Sequence, residues 1–224
     1  MNKIINRIVS ILLIPISFLF ILSSSILVPT IDRNFYFMQI DKLGIVANSG
    51  FTKPQIIEAY NNLFDFLWTD VPFKTGDLVN SESAISHYTD CKKLFALDLI
   101  VFIITAVLLL TILFLIIFKK VKIERYFGFS PLFFSSILLV VFLLSVVIFG
   151  LINFDELFRV FHLICFPGKD NWLFDWNLDQ TIRILPEQFF TNCAILIGSL
   201  IAIQLLVAIT YSIVVKIKLS KKSQ

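Results

Sequence analysis

His87 and His162 are the only histidines among 224 residues, and each stands beside a long apolar run. Imidazole titrates close to neutral pH without help from its surroundings, so two of them can take and give protons in a single reaction. Asp90 follows His87 by one helical turn in SHYTDCKKLF, and Asp155, Arg159 and His162 fall on one helical face. A carboxylate near an imidazole fixes its tautomer and raises its basicity. Asp98, deeper in the apolar run and on the stripe of His87, either snorkels outward or hydrates a helix-bundle core.

Other chemistries are less well served. His87, His162, Asp90 and Asp155 could in principle hold zinc with an open position, but no H-x-x-x-H or H-E-x-x-H unit exists. A bis-histidine haem would sit outside the hydrocarbon, where it gains little burial. There is no G-x-S-x-G element, no serine–histidine–acid order that reads as a triad, no phosphate loop and no nucleic-acid signature. The expectation is therefore no metal and no cofactor. Cys91, Cys165 and Cys193 form no C-x-x-C pair, which argues against a thiol oxidoreductase and a disulfide scaffold.

The elements that position the histidines are set by hydropathy. The chain is 58% apolar with 25 phenylalanines and a mean hydropathy of +0.89, well beyond a soluble domain. Four runs are long enough to cross a hydrocarbon layer, which takes about 20 apolar residues. We read transmembrane helices at 1–30, 94–118, 131–152 and 189–215, outer segments at 31–93 and 153–188, a loop at 119–130 and a tail at 216–224. The first run exceeds an ordinary signal-peptide core and SSSILVPT is a poor cleavage site, so it is expected to remain as a span. No cysteine follows it in a lipobox position.

Charge gives the orientation. Lys3, Arg7, Lys119, Lys120, Lys122, Arg125, Lys216, Lys218, Lys221 and Lys222 share one face with a single acid, Glu124, a net of +9. The other 9 bases and 15 acids leave −6, and the two faces sum to the whole-chain +3. Both termini and the 119–130 loop are then cytoplasmic, and 31–93 and 153–188 lie outside.

In the first outer segment, FYFMQI reads as a short strand. TKPQIIEAYNNLFDFLW reads as an amphipathic helix with capping-box spacing at Thr52 and Gln55 and Pro54 in its first turn. In the second, NWLFDW, NLDQ and TIRIL suggest a β-hairpin, after which Pro186 opens the last helix. Asn80 and Ser81 cap a helix that can run to Phe118, and Ser130 with Pro131 starts one that can run unbroken to about Phe166. The fold class expected is mainly α: a polytopic membrane protein, a four-transmembrane-helix bundle with a small α+β extracellular cap.

Both histidines stand 31 positions from the cytoplasmic turn, His87 from Phe118 and His162 from Pro131. At about 1.5 Å per residue that is ~46 Å for each, so in an antiparallel pair they stand level. The hydrocarbon takes about 30 Å of this height, which leaves them at the outer lipid boundary. The plainer reading of one such histidine is a helix anchor; two level histidines facing a bundle interior favour chemistry. Lipid esters lie near that boundary. A substrate carrying its own nucleophile there needs from the protein only a base, a proton donor and something positive near the oxyanion, for which Arg159, Arg183 and Lys92 are candidates in that order.

These segments resemble a known family. SHYTDCKKLF is similar to the H-x-x-D-V-x-x-L-F element of the lipoprotein intramolecular transacylase (Lit) family, with Cys91 where valine is expected. FHLICFPGKDNWLFDWNLDQTIRILPEQFF is similar to its second element at Phe161, His162, Phe166, Trp172, Phe174, Asp175, Asp179, Ile182, Ile184, Leu185, Pro186, Glu187, Phe189 and Phe190. The resemblance implies a four-span enzyme moving the sn-2 acyl chain of a diacylglyceryl lipoprotein to the α-amine of that lipoprotein's own N-terminal cysteine, giving the lyso-form. It implies His87 and His162 as the catalytic pair; from the residues themselves, Asp90, Asp155, Arg159 and Arg183 are expected to support them, and Trp172 and Asp175 to lie on a substrate loop. The expected setting is a bacterial plasma membrane with the active site at the extracellular face, and the partners are the lipoprotein substrate and membrane lipid, not nucleic acid. Two rival readings are a non-enzymatic four-span sensor or accessory protein and an outer-leaflet phospholipid or ester hydrolase.

Overall fold

The computed structural model describes residues 3–221. In chain order its helices are α1 Lys3–Ile31, α2 Arg33–Ile40, α3 Ile45–Ser49, α4 Lys53–Trp68, α5 Glu82–Ile117, α6 Pro131–Ile152, α7 Phe154–Cys165, α8 Thr181–Ile184 and α9 Glu187–Ser220. Helices α1, α5, α6 and α9 are long and apolar enough to span a membrane. The protein is a multi-pass membrane protein.

The residues divide into two compact units. The first comprises residues 1–26, 99–152 and 198–224. Leu139, Ile201 and Leu205 are buried there, Phe20 stacks on Phe102, and Gln204 donates to Ser25 Oγ at 2.9 Å. Leu110, Leu206 and Val207 are exposed, as befits a surface whose solvent is lipid. Asn6 Oδ1 and Ser10 Oγ accept the backbone N–H groups of Lys122 and Glu124, so side chains of α1 hold the 119–130 loop.

The second unit comprises residues 27–98 and 153–197. Its core gathers Tyr36, Ile40, Ile45, Ile56, Ala59, Leu63 and Ile184. The Tyr36 ring stacks on Tyr60 at 3.7 Å and its hydroxyl donates to the Ile184 carbonyl at 2.7 Å. The amphipathic helix forms as α4, with both hydrogen bonds of the Thr52/Gln55 capping box. Its apolar face, Ile56, Ala59, Tyr60, Leu63 and Phe66, closes this core.

Four expectations need correction. Among the described residues there is no strand; the sole β pairing is an isolated bridge from Tyr126 to Phe129, so the cap is helical, not α+β. FYFMQI lies in α2, capped by Asp32, whose side chain accepts from Asn34 N–H. A lone short strand leaves its backbone unpaired, whereas a helix satisfies its own and here turns Tyr36 and Ile40 inward four residues apart. The hairpin is replaced by a side-chain-bonded turn: Asp175 Oδ1 accepts from Asn177 and Leu178 N–H, and Asp179 Oδ2 from Asp175 N–H, before α8 begins. Short carboxylates that bond nearby backbone in this way compete with strand pairing. The helix from Pro131 also breaks: Asn153 adopts extended backbone and caps α7 through its side chain, accepting from Glu156 N–H at 3.0 Å.

Candidate active site

His87 lies in the second turn of α5, and the start of that helix is fixed from two sides. Ser81 Oγ accepts from Ala84 N–H, while Ser81 N–H donates to Asp179 Oδ1 at 2.8 Å. Asn80 Oδ1 takes the Thr181 hydroxyl at 2.5 Å, and Tyr88, next to His87, donates its own hydroxyl to Thr181 Oγ1 at 2.9 Å. Asp179 is therefore a scaffold residue tying the turn before α8 to the start of α5.

His162 lies in the last turn of α7. Its Nδ1 is 2.7 Å from the Phe158 carbonyl. A carbonyl oxygen can only accept, so the proton sits on Nδ1 and the neutral ring presents Nε2 as a lone pair. Burial pulls the His162 pKa below the ordinary imidazole value, against the opposing pull of the Phe158 carbonyl, so the neutral base is the resting form at pH 7.

The two imidazoles meet. Their ring centroids are 5.8 Å apart with planes at 32°, and the residues are only 7% and 6% exposed. Aromatic rings wall them in. Phe166 packs at 4.8 Å and Phe174 at 5.4 Å from His87, while Phe158 at 4.2 Å and Trp172 at 4.8 Å flank His162. Phe166, Trp172 and Phe174 all belong to the chain that follows α7, which turns at Gly168 with φ +73°. That segment straps across both rings.

Asp90 is almost fully buried and supports this strap. Its Oδ2 accepts from Lys169 Nζ at 2.5 Å and Asn171 Nδ2 at 3.1 Å, and its Oδ1 from Lys93 Nζ at 3.2 Å. His87 Nε2 stands 3.4 Å from Cys91 Sγ, one turn along α5. Two buried polar atoms of the cluster have no hydrogen-bond partner: His87 Nδ1 and Asn171 Oδ1.

The remaining residues singled out in the sequence take other positions. Arg159 grips Glu156 with two hydrogen bonds, at 2.8 and 2.6 Å, and Asp155 is exposed. Arg183 donates to the Trp176 carbonyl and lies over that indole. Lys92 donates to the Thr69 carbonyl. Asp175 serves its own turn. The cation nearest in the chain of contacts is Lys169, which donates to Asp90 one turn along α5 from His87. Lys169 and Asn171 escape a reading of the sequence because PGKDN carries the composition of an ordinary turn; only the fold brings them back onto α5.

A buried pair of general acid–base groups, with a cation nearby and apolar walls, suits acyl transfer within a substrate that brings its own nucleophile. Residues 11–190 match the family model described as lipoprotein intramolecular transacylase Lit. The chain is similar to the in meso structure of the membrane-integral lipoprotein intramolecular transacylase Lit from Bacillus cereus, with 24% identity, 100% of both chains covered and a TM-score of 0.84. Two further structures of that protein also match. The form with a histidine-to-arginine mutation has 25% identity, coverage of 98% and 95%, and a TM-score of 0.75. The form with a histidine-to-alanine mutation has 24% identity, coverage of 98% and 96%, and a TM-score of 0.77. No curated protein matches the chain.

Proposed function

The chain belongs to the lipoprotein intramolecular transacylase Lit family, a family of membrane acyltransferases, and from that premise we propose that it converts diacylglyceryl lipoproteins to the lyso-form. The sn-2 acyl chain leaves the glyceryl oxygen and joins the α-amine of the same lipoprotein's N-terminal cysteine. Donor and acceptor belong to one molecule, so holding them in the reacting geometry removes much of the barrier.

The observation that carries this reading is the meeting of the two histidines, buried and 5.8 Å apart, in a chain that has no others. Their proton traffic balances. One imidazole takes a proton from the substrate ammonium and frees the amine, which attacks the ester carbonyl. The other takes a proton from the nitrogen as the tetrahedral intermediate forms. The first then returns its proton to the departing glyceryl oxygen. The products are an amide and an alcohol, and one proton goes to solvent. No protein nucleophile is required. The Lys169 ammonium supplies positive charge toward the developing oxyanion, and the phenylalanines beside the pair suit acyl chains. The lysine and arginine distribution supports cytoplasmic termini and an active site at the extracellular lipid boundary of a bacterial plasma membrane.

Mass spectrometry of lipoprotein N-termini tests the reading, in a host that makes diacylglyceryl lipoproteins and expresses this protein. The expected result is a cysteine N-acylated and S-linked to monoacylglycerol, lost in His87→Ala and His162→Ala variants. Released fatty acid with an unacylated amine would point to a hydrolase. An unchanged diacylglyceryl form at good expression overturns the proposal.

A further inference from the structure

We propose that Asn171 is a positioning residue for His87, its Oδ1 accepting the His87 Nδ1–H so that Nε2 is the reactive nitrogen. The inference rests on the acyl-transfer reading above, and it concerns a residue outside the histidine pair.

The amide cannot turn freely. Asp90 is an acceptor with no proton to give, and Asn171 places its Nδ2 3.1 Å from Asp90 Oδ2 and 3.3 Å from Ser86 Oγ. With the nitrogen so engaged, Oδ1 is committed to the opposite side. That oxygen is buried and has no partner, and so is His87 Nδ1, on the same helix between Ser86 and Asp90, the two residues that engage the Asn171 amide nitrogen. One is an obligate acceptor and the other can be a donor, so a single hydrogen bond satisfies both. A buried polar atom left without a partner keeps its full desolvation penalty, which favours closing this bond.

The other side of the ring agrees. His87 Nε2 faces the Cys91 thiol at 3.4 Å, and an S–H can donate to a lone pair there. His162 is polarised in the same sense by the Phe158 carbonyl. Both rings then carry the proton on Nδ1 and present Nε2, which matches a reaction in which each imidazole first accepts a proton. Asp90 acts on His87 through the amide.

Because the chain contains two histidines, 15N-histidine NMR of the full-length protein in detergent micelles resolves the tautomers directly. His162→Gln assigns the signals. In the wild type the His87 Nδ1 should appear protonated and Nε2 bare. In Asn171→Ala the ring should become a mixture of tautomers, with kcat for lyso-form production falling about 10- to 100-fold, by analogy with removal of the partner that orients a metal-bound imidazole. Lys169→Met removes another hold on the same segment but leaves the amide, so a tautomer unchanged from wild type is expected there. A wild-type His87 protonated on Nε2, or an Asn171→Ala spectrum identical to wild type, overturns the proposal. A mixture equal in Lys169→Met and Asn171→Ala does so too, since it reduces the effect to loosening of the segment. If the wild type forms no lyso-form lipoprotein, the proposed function fails while the tautomer result still stands.

Discussion

The indole of Trp172 lies stacked on the imidazole of His162, centroids 4.8 Å apart and planes at 28°. Its Nε1 donates to the Lys169 carbonyl at 3.0 Å, so the ring is held from within its own turn. Trp172 is thus a cover for His162, and that cover contributes to the burial that lowers the His162 pKa. Trp172→Ala lets water reach the ring, and the pKa rises toward its ordinary value. Activity that depends on neutral His162 then needs a higher pH, so the acid limb of kcat/KM moves upward. Stacking of this kind is worth about 0.5–1.5 kcal/mol, so kcat/KM at the optimum should fall about 2- to 10-fold. A pH–rate profile of the variant against wild type checks both effects.

The contact of Trp172 with His162 marks the limit of what the sequence makes legible. Hydropathy alone locates the four spanning helices, and the Thr52/Gln55 spacing locates α4, because each rule concerns residues close in the chain. Level placement of the histidines follows from counting along helices, and they do meet, even though Asn153 interrupts the second helix. The hairpin expected after Asn171 fails because Asp175 and Asp179 spend their carboxylates on local backbone and on Ser81 across the fold. The bond to Ser81 joins residues with a sequence separation of 98. Asn171 and Lys169 stay hidden for the same reason: their partner is Asp90.

His162 also makes stability depend on pH. Its pKa is lower in the fold than in the unfolded chain, so the fold binds fewer protons at mildly acidic pH. The contribution is fully present above the unfolded value, near 6.5. It is lost as pH falls from there toward the lowered value. Wild type in micelles should therefore lose thermal stability between pH 7 and pH 5, and His162→Phe, which has nothing to protonate, should lose less. Melting curves at the two pH values decide it: an equal loss in both proteins rules out His162 as the source.

Cys91 stands 3.4 Å from His87 Nε2, an arrangement that elsewhere activates a thiol nucleophile. Here the thiol is expected to be a bystander, because the substrate amine performs the attack. Cys91→Val should retain most of the transacylase activity, and no thioester-linked acyl group should accumulate on wild-type protein. Intact-protein mass spectrometry during turnover gives the second answer. An acyl adduct on Cys91, lost together with activity in the valine variant, would replace direct aminolysis with a two-step transfer.

Asp90 joins α5 to the strap by accepting from Lys169 and Asn171, and from Lys93 on its own helix. The two lysine side chains are 46% and 71% exposed, so both can rehydrate when the carboxylate is removed, and their share of the linkage is small. The Asn171 amide is buried and cannot. Its lost hydrogen bond should set the cost of Asp90→Ala, about 1–3 kcal/mol, and that cost falls on the segment from Phe166 to Phe174 because its hold on α5 is what has gone. Amide hydrogen exchange should accelerate in that segment while α4 and the Tyr36 core stay protected. Asp90→Asn keeps an oxygen that Asn171 can donate to and should exchange at a rate between wild type and alanine. If the alanine variant speeds exchange throughout the second unit, Asp90 is a foundation of that whole unit, and the strap has no separate latch.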